Sequence, residues 1–248
     1  MVIDKINTWP TDLINFFDKN YKKFIGWECK GEYCLSPMKY DLLVHDLINI
    51  LKKYCLTGYH CTKLLQQEID NIYKKGLTLQ CRSSMQKRID LIEIDPSKLS
   101  ILERLKLENQ CDEINRKGMI WFCFFYPKMA DDHGIMRFFR SWGGEALYNS
   151  HERDKETGQF LREIGIPCII EANVPMKIIP DIRLPYGQVT RVYLEYKGYE
   201  LENLYEYEGY IIHNLPSKNI IDIHNYPSKR FIELTGCMDW DYRFEKIK

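Results

Sequence analysis

Residues 58–77 read GYHCTKLLQQEIDNIYKKGL, and the change of rhythm inside this stretch decides how the chain is read. Up to Thr62, the run CLTGYHCT at 55–62 is apolar and β-tolerant, which predicts a strand. Beyond it, Leu65, Ile69 and Ile72 recur at three and four residues, the spacing of a buried helix face, so residues 66–76 are expected to be helical. Gly76 has the backbone freedom that ends a helix, and Lys74 and Lys75 complement its negative end. His60 therefore stands near the far end of a buried strand. It is either a core histidine bonded to a carbonyl, or a group that presents imidazole, together with the amide and carbonyl of the next residue, to a bound carboxamide.

Outward from this stretch the chain alternates helical and strand signals. Residues 8–27 (TWPTDLINFFDKNYKKFIGW) place Leu13, Ile14, Phe16 and Phe17 at helical spacing. Residues 38–54 repeat the pattern, with His45 read as a packed histidine on the apolar stripe. Residues 78–118 are polar and helix-prone, with a start signal at Asp95-Pro96-Ser97. MIWFCFFYP at 119–127 is an aromatic strand bracketed by Gly118 and Pro127. The segment 129–152 is expected to be a loop with its own helix from about Gly143, followed by a short helix at 157–163 and a strand at 166–175. RVYLEYKG (191–198) and EGYIIHN (208–214) are expected to be further strands. Helices first, then a mostly β body with helices between strands, predicts an α+β fold.

Composition excludes several function classes. A chain of 248 residues that is 45% apolar buries a sizeable core. Lys plus Arg and Asp plus Glu each number 35, so no net field selects nucleic acid, membrane or acidic ligand. Nine cysteines are an odd number, and no charged-then-apolar secretory signal opens the sequence, so a reducing, cytoplasmic setting is expected. Cys29 and Cys34 have no second pair at zinc-type spacing, and no metal is expected. The longest apolar run is far short of a membrane span. Arg137, Arg140, Arg153 and Arg162, interleaved with Phe138, Phe139 and Trp142, form either a single-strand nucleic-acid surface or a solvated face with a packed side. His133, His151, Glu152 and His224 lack the helix-face spacing of a zinc site.

Three separated pieces resemble the ADP-ribosyltransferase superfamily, in its poly(ADP-ribose) polymerase and diphtheria-toxin-like branch. Tyr59-His60-Cys61-Thr62, a helix, then Gly76-Leu77 is similar to that family's first motif, with cysteine where glycine is usual. IWFCFFYP followed by RSWGGEALY has the order of the second, an aromatic on a strand and a tyrosine on a helix. In this order Tyr148 is the helix ring, and Trp121, Phe122 or Phe124 is the strand ring, with Phe124 taken first. YEYEGYIIHNLPSKNIIDI resembles the closing motif, with Glu208 as the catalytic carboxylate and Glu206 as its alternative. In SWGGEALY, adjacent glycines allow close backbone approach, and Glu145 either lines the site or caps the helix.

The resemblance implies a split β-sheet core with inserted helices. Residues 1–54 would be a helical extension, and 55–248 the catalytic domain with a helical insertion at about 78–118. It implies NAD+ as substrate, held by His60, Cys61 and Thr62 and by the aromatic pair, with no metal. The acceptor would be a macromolecule: protein, RNA or DNA. Many stand-alone bacterial members act as toxins of toxin–antitoxin or phage-defence systems, so an antitoxin or regulatory protein is a further expected partner. An NAD+ glycohydrolase, an RNA 2′-phosphotransferase and a non-catalytic binding or adaptor module on the same fold are the alternatives.

Overall fold

The computed structural model describes residues 1–28, 35–113, 117–129, 132–201 and 208–240. Its centre is one antiparallel sheet of β1 (Cys55–Leu64), β2 (Ile120–Cys123), β3 (Ile166–Pro175), β4 (Glu208–Ile211) and β5 (Ile220–Asn225), in the order β4-β2-β1-β3-β5. β1 pairs with β3 along its whole length, from Cys55↔Pro175 to Leu64↔Ile166. With β2 it shares the single position Tyr59↔Cys123. β2 in turn pairs with β4 from Ile120↔Ile211 to Cys123↔Glu208. The sheet is thus joined along one side of β1 and parted along most of the other.

Side chains alternate between the two faces of a strand, so register assigns each residue a side. Leu56, Phe122, Phe124, Ile170, Ala172 and Val174 lie on one face. There they join a continuous core with the helices α1 (Thr11–Glu28), α2 (Pro37–Leu51), α3 (Gln66–Lys75) and α9 (Tyr186–Tyr196). Residues 1–54 therefore have no core separate from the sheet's. Phe17 stacks on Tyr193 at 4.7 Å and 16°, and the Tyr193 hydroxyl donates to Asp18 at 2.5 Å. An aromatic contact of this kind adds about 1 kcal/mol beyond the area it buries.

On the opposite face, Tyr59, Cys123 and Ile169 pack against Ile135 and Phe139 of α6 (Asp132–Arg140) and Phe231 and Leu234 of α10 (Lys229–Thr235). A third cluster unites α4 (Arg82–Asp90), α5 (Leu99–Leu107), α7 (Glu145–His151) and α8 (Thr157–Glu163) around Trp142. The helical insertion after β1 thus shares its core with residues 142–161, far along the chain.

Three expectations are corrected. Residues 191–196 belong to α9, not to a strand, and 197–198 form the turn after it. Val192, Leu194 and Tyr196 alternate, but the buried set is Val189, Thr190, Tyr193 and Leu194, a helical face that begins upstream at Pro185. Residues 132–140 form α6 rather than a loop, with Ile135 and Phe139 four apart on its buried side. His45 is exposed, because the buried stripe of α2 runs Leu43, Leu47, Leu51 and a residue two from Leu43 lies on the far side of the helix. The helix at 157–163 and the strand at 166–175 stand where expected.

Candidate functional site

Where β1 and β2 part, the side chain of His60 replaces the missing ladder: its Nδ1 lies 2.8 Å from the Trp121 carbonyl oxygen of β2. A cavity of about 660 Å³ opens at this split, within the size range of cofactor pockets. His60, Cys61 and Thr62 of β1 form one wall, and Trp121, Phe122 and Cys123 of β2 the other. Phe138 from α6 and Glu145 from α7 also contribute, and Glu208, the exposed first residue of β4, stands at the edge.

Four of the residues singled out by sequence, His60, Cys61, Thr62 and Glu208, therefore meet at one hollow. They do not project from one sheet face. Glu208 is paired to Cys123 and Cys123 to Tyr59, so these three share a side, while His60, one residue on, shares the side of Phe122 and Ile170, its ring 6.0 Å from that of Phe122. The parted strands let both sides reach the same space.

Phe124 and Tyr148 are not among the residues that line the cavity. Phe124 is 2% exposed, its ring pressed so closely on β4 that a Cβ at Gly209 would meet its Cε2 at 2.6 Å. Tyr148 is buried beneath Arg137, whose guanidinium lies 4.3 Å from the ring centroid. The aromatic lining comes from Trp121 and Phe122, the other two candidates for the strand ring, with Tyr59 and Phe138. Glu206, like Cys29 and Cys34, lies outside the described residues. Gly143 and Gly144 both adopt positive φ (85° and 60°) and turn the chain into α7. The close approach expected there is to Leu147 of the same helix, 2.4 Å from where a Cβ on Gly143 would stand. Glu145 opens α7 behind the cap residue Gly144 and is not itself the cap.

A carbonyl can only accept, so His60 Nδ1 carries the proton and the neutral ring keeps Nε2 as an acceptor. Burial holds the His60 pKa below its ordinary value, the Trp121 carbonyl opposes this, and Arg88 adds to it. The wholly buried His151, with Nδ1 3.0 Å from the Thr157 hydroxyl, is lowered in the same direction by burial. Both rings resist protonation when folded and accept it once unfolded, so protons favour the unfolded chain. Stability is expected to fall as pH drops from the ordinary 6.5 toward the lowered folded values, then to level off. In melts between about pH 7.5 and pH 5, His151→Gln should lose less of its midpoint than wild type; an identical slope would remove His151 from this account.

The cavity lining contributed by α3 and α4 is cationic. Glu68 holds Arg88 there: one oxygen accepts from Arg88 Nε at 2.5 Å, the other from Trp142 Nε1 at 2.7 Å and the Leu65 amide at 2.8 Å. Lys75 at the end of α3 and Lys87 on α4 are both exposed and line the cavity, and neither has a carboxylate partner among the described residues. In the sequence Lys75 is a helix-end charge and Lys87 carries no signal of its own; no local pattern shows that two helices will aim them at one opening.

The remaining candidates disperse. Arg137 and Arg140 both pair with Glu152, Arg162 donates to its carbonyl, Arg153 is exposed, and Phe139 and Trp142 are wholly buried, so the stretch is a charged outer face with a packed aromatic side. Lys63, buried with its ammonium on the carbonyls of Arg140 and Arg162, caps α6 and α8 near their C-terminal ends, and burial lowers its pKa to about 8. His224 bonds Glu171 at 2.8 Å on β3, apart from His151. Among the described residues no group of three or more His, Cys, Asp or Glu could hold a metal ion, and no helix is long and apolar enough to cross a membrane. The chain matches no protein-family model, no curated protein and no solved structure.

Proposed function

We propose that the cavity binds NAD+ and that the protein is an ADP-ribosyltransferase acting on a macromolecular acceptor. The observation that carries this reading is the convergence of His60, Cys61, Thr62 and Glu208 on one hollow at the parting of β1 and β2. The chemistry suits a dinucleotide, with aromatic rings on β2 and α6 for a nicotinamide and the lysines Lys75 and Lys87 on α3 and α4 for phosphate oxygens.

On this reading the nicotinamide packs among Trp121, Phe122 and Phe138, and its carboxamide meets the backbone of Cys61. The bare Nε2 of His60 accepts from a ribose hydroxyl. As the bond from nicotinamide to ribose stretches, positive charge grows at the anomeric carbon, and the Glu208 carboxylate stabilises that charge more than it does the ground state. The same carboxylate can take the proton of the incoming nucleophile. A role as a toxin or anti-phage effector, held in check by a partner protein, belongs to this proposal through the family resemblance.

The test is incubation with NAD+ labelled in its phosphates, with and without cell lysate. Label retained on protein or nucleic acid supports transfer and names the acceptor class. Nicotinamide released with no label retained assigns the water-accepting glycohydrolase. Neither binding nor consumption overturns the proposal. His60→Ala is expected to weaken NAD+ binding about fivefold, the loss of one hydrogen bond worth about 1 kcal/mol; unchanged affinity in a titration would return His60 to a packing role.

A further inference from the structure

Cys61 and Cys123 confront each other across the split. Cys123 is paired with Tyr59, and Cys61 is two residues further along β1, so both project from the same face of neighbouring strands, in diagonal positions. Both line the cavity and both are free thiols. Interaction with the Cys123 side chain is the leading cause that raises the Cys61 pKa. Elsewhere Cys168 donates to the Ile166 carbonyl at 3.1 Å and the Asn225 side chain at 3.2 Å, Cys81 sits 3.1 Å from the Ser83 hydroxyl, and Cys111 is 3.9 Å from Gln80. Cys61 is partly exposed and Cys123 is 7% exposed, so a reagent entering the cavity reaches Cys61 first.

We propose that Cys61 and Cys123 form a reversible disulfide that ties β1 to β2 just beyond their single paired position and so closes the sheet where the cavity opens. The oxidant is a small-molecule disulfide. The Cys61 thiolate attacks one of its sulfurs, breaking that S–S bond and expelling one thiolate, which takes up a proton. The Cys123 thiolate then attacks Cys61 sulfur in the mixed disulfide and expels the second thiol. Two protein thiols are oxidised by two electrons, and one small disulfide is reduced to two thiols. Diagonal neighbours on adjacent strands stand about 7 to 8 Å apart, so β1 and β2 must draw together for the S–S bond of roughly 2 Å to form, and the bond then holds the split closed. Interaction with the Cys123 side chain, burial, and the charge of Cys123 and Glu208 hold Cys61 protonated, so exchange is slow. None of this depends on what the cavity binds.

The experiment treats the full chain with oxidised glutathione, blocks remaining thiols, and maps peptides without reduction. Expected are a peptide joining Cys61 to Cys123 that is lighter by two hydrogens, its reversal by dithiothreitol, and, among the described cysteines, glutathione retained on the low-pKa Cys81 alone. Cys123→Ser, with its fold checked by circular dichroism, should instead accumulate glutathione on Cys61, because the second thiol is missing. A mixed disulfide that persists on Cys61 in wild type, a cross-link from Cys61 to another cysteine or to a second chain, or retention of both the Cys61 and Cys123 thiols would each overturn the proposal.

Discussion

Glu208→Gln is expected to lower nicotinamide release from NAD+ by more than about a hundredfold while leaving NAD+ affinity within about tenfold, the pattern of a lost transition-state stabiliser. The substitution keeps shape and hydrogen-bonding reach and removes only the charge. Glu208 begins β4 at the cavity edge and is exposed, so an amide there leaves no buried carboxylate partner stranded. The carboxylate matters most when the ribose carbon becomes cationic, because the ground-state ligand lacks that charge. Binding measured by calorimetry and turnover measured as released nicotinamide separate the two effects. Equal losses in both would make Glu208 a ground-state contact, and a loss confined to Glu206→Gln would move the role two residues upstream.

Gly76→Ala is expected to destabilise the chain by about 2 to 6 kcal/mol, summing strain at a positive φ and overpacking, each worth about 1 to 3 kcal/mol. Gly76 has φ 86° at the end of α3. A Cβ there would fall 1.9 Å from the Leu215 carbonyl oxygen and 2.6 Å from the Pro216 carbonyl carbon. These are backbone atoms, fixed by the reciprocal bonds between Leu77 and Leu215, both 2.8 Å, so they cannot swing aside as a side chain would. The junction fastens α3, which carries Lys75, to the segment that follows β4. Gly187→Ala is the control, since nothing lies within 4 Å of its would-be Cβ inside α9, and it should be neutral or raise stability by about 0.5 to 1 kcal/mol. Chemical denaturation of both variants reads the difference; equal midpoints would mean that the α3 junction relaxes freely.

Gly76 was legible in the sequence because helix termination is a local property, set by the residue's own backbone freedom and the pattern just before it. The same holds for the strand-to-helix change at 58–77 and for the short helix at 157–163. His45 and the 191–198 segment were misread where a short window of alternation or an apparent stripe stood in for the longer register that packing selects. Phe124 and Tyr148 carry the right chemistry in the right order, yet a neighbouring backbone and an arginine cover them, and neither cover is near in sequence.

By itself, then, the sequence determined the α+β class, the strand bearing His60 and the glycine that ends the helix behind it, since each follows from interactions within a few residues. Tertiary structure alone decided that β4 lies two strands from β1, that β1 and β2 meet at Tyr59↔Cys123 and part beyond it, and that Cys61 faces Cys123. Strand order and register are settled by contacts between residues tens to over a hundred positions apart, whose side chains must share one face and one core, and no local window contains both partners.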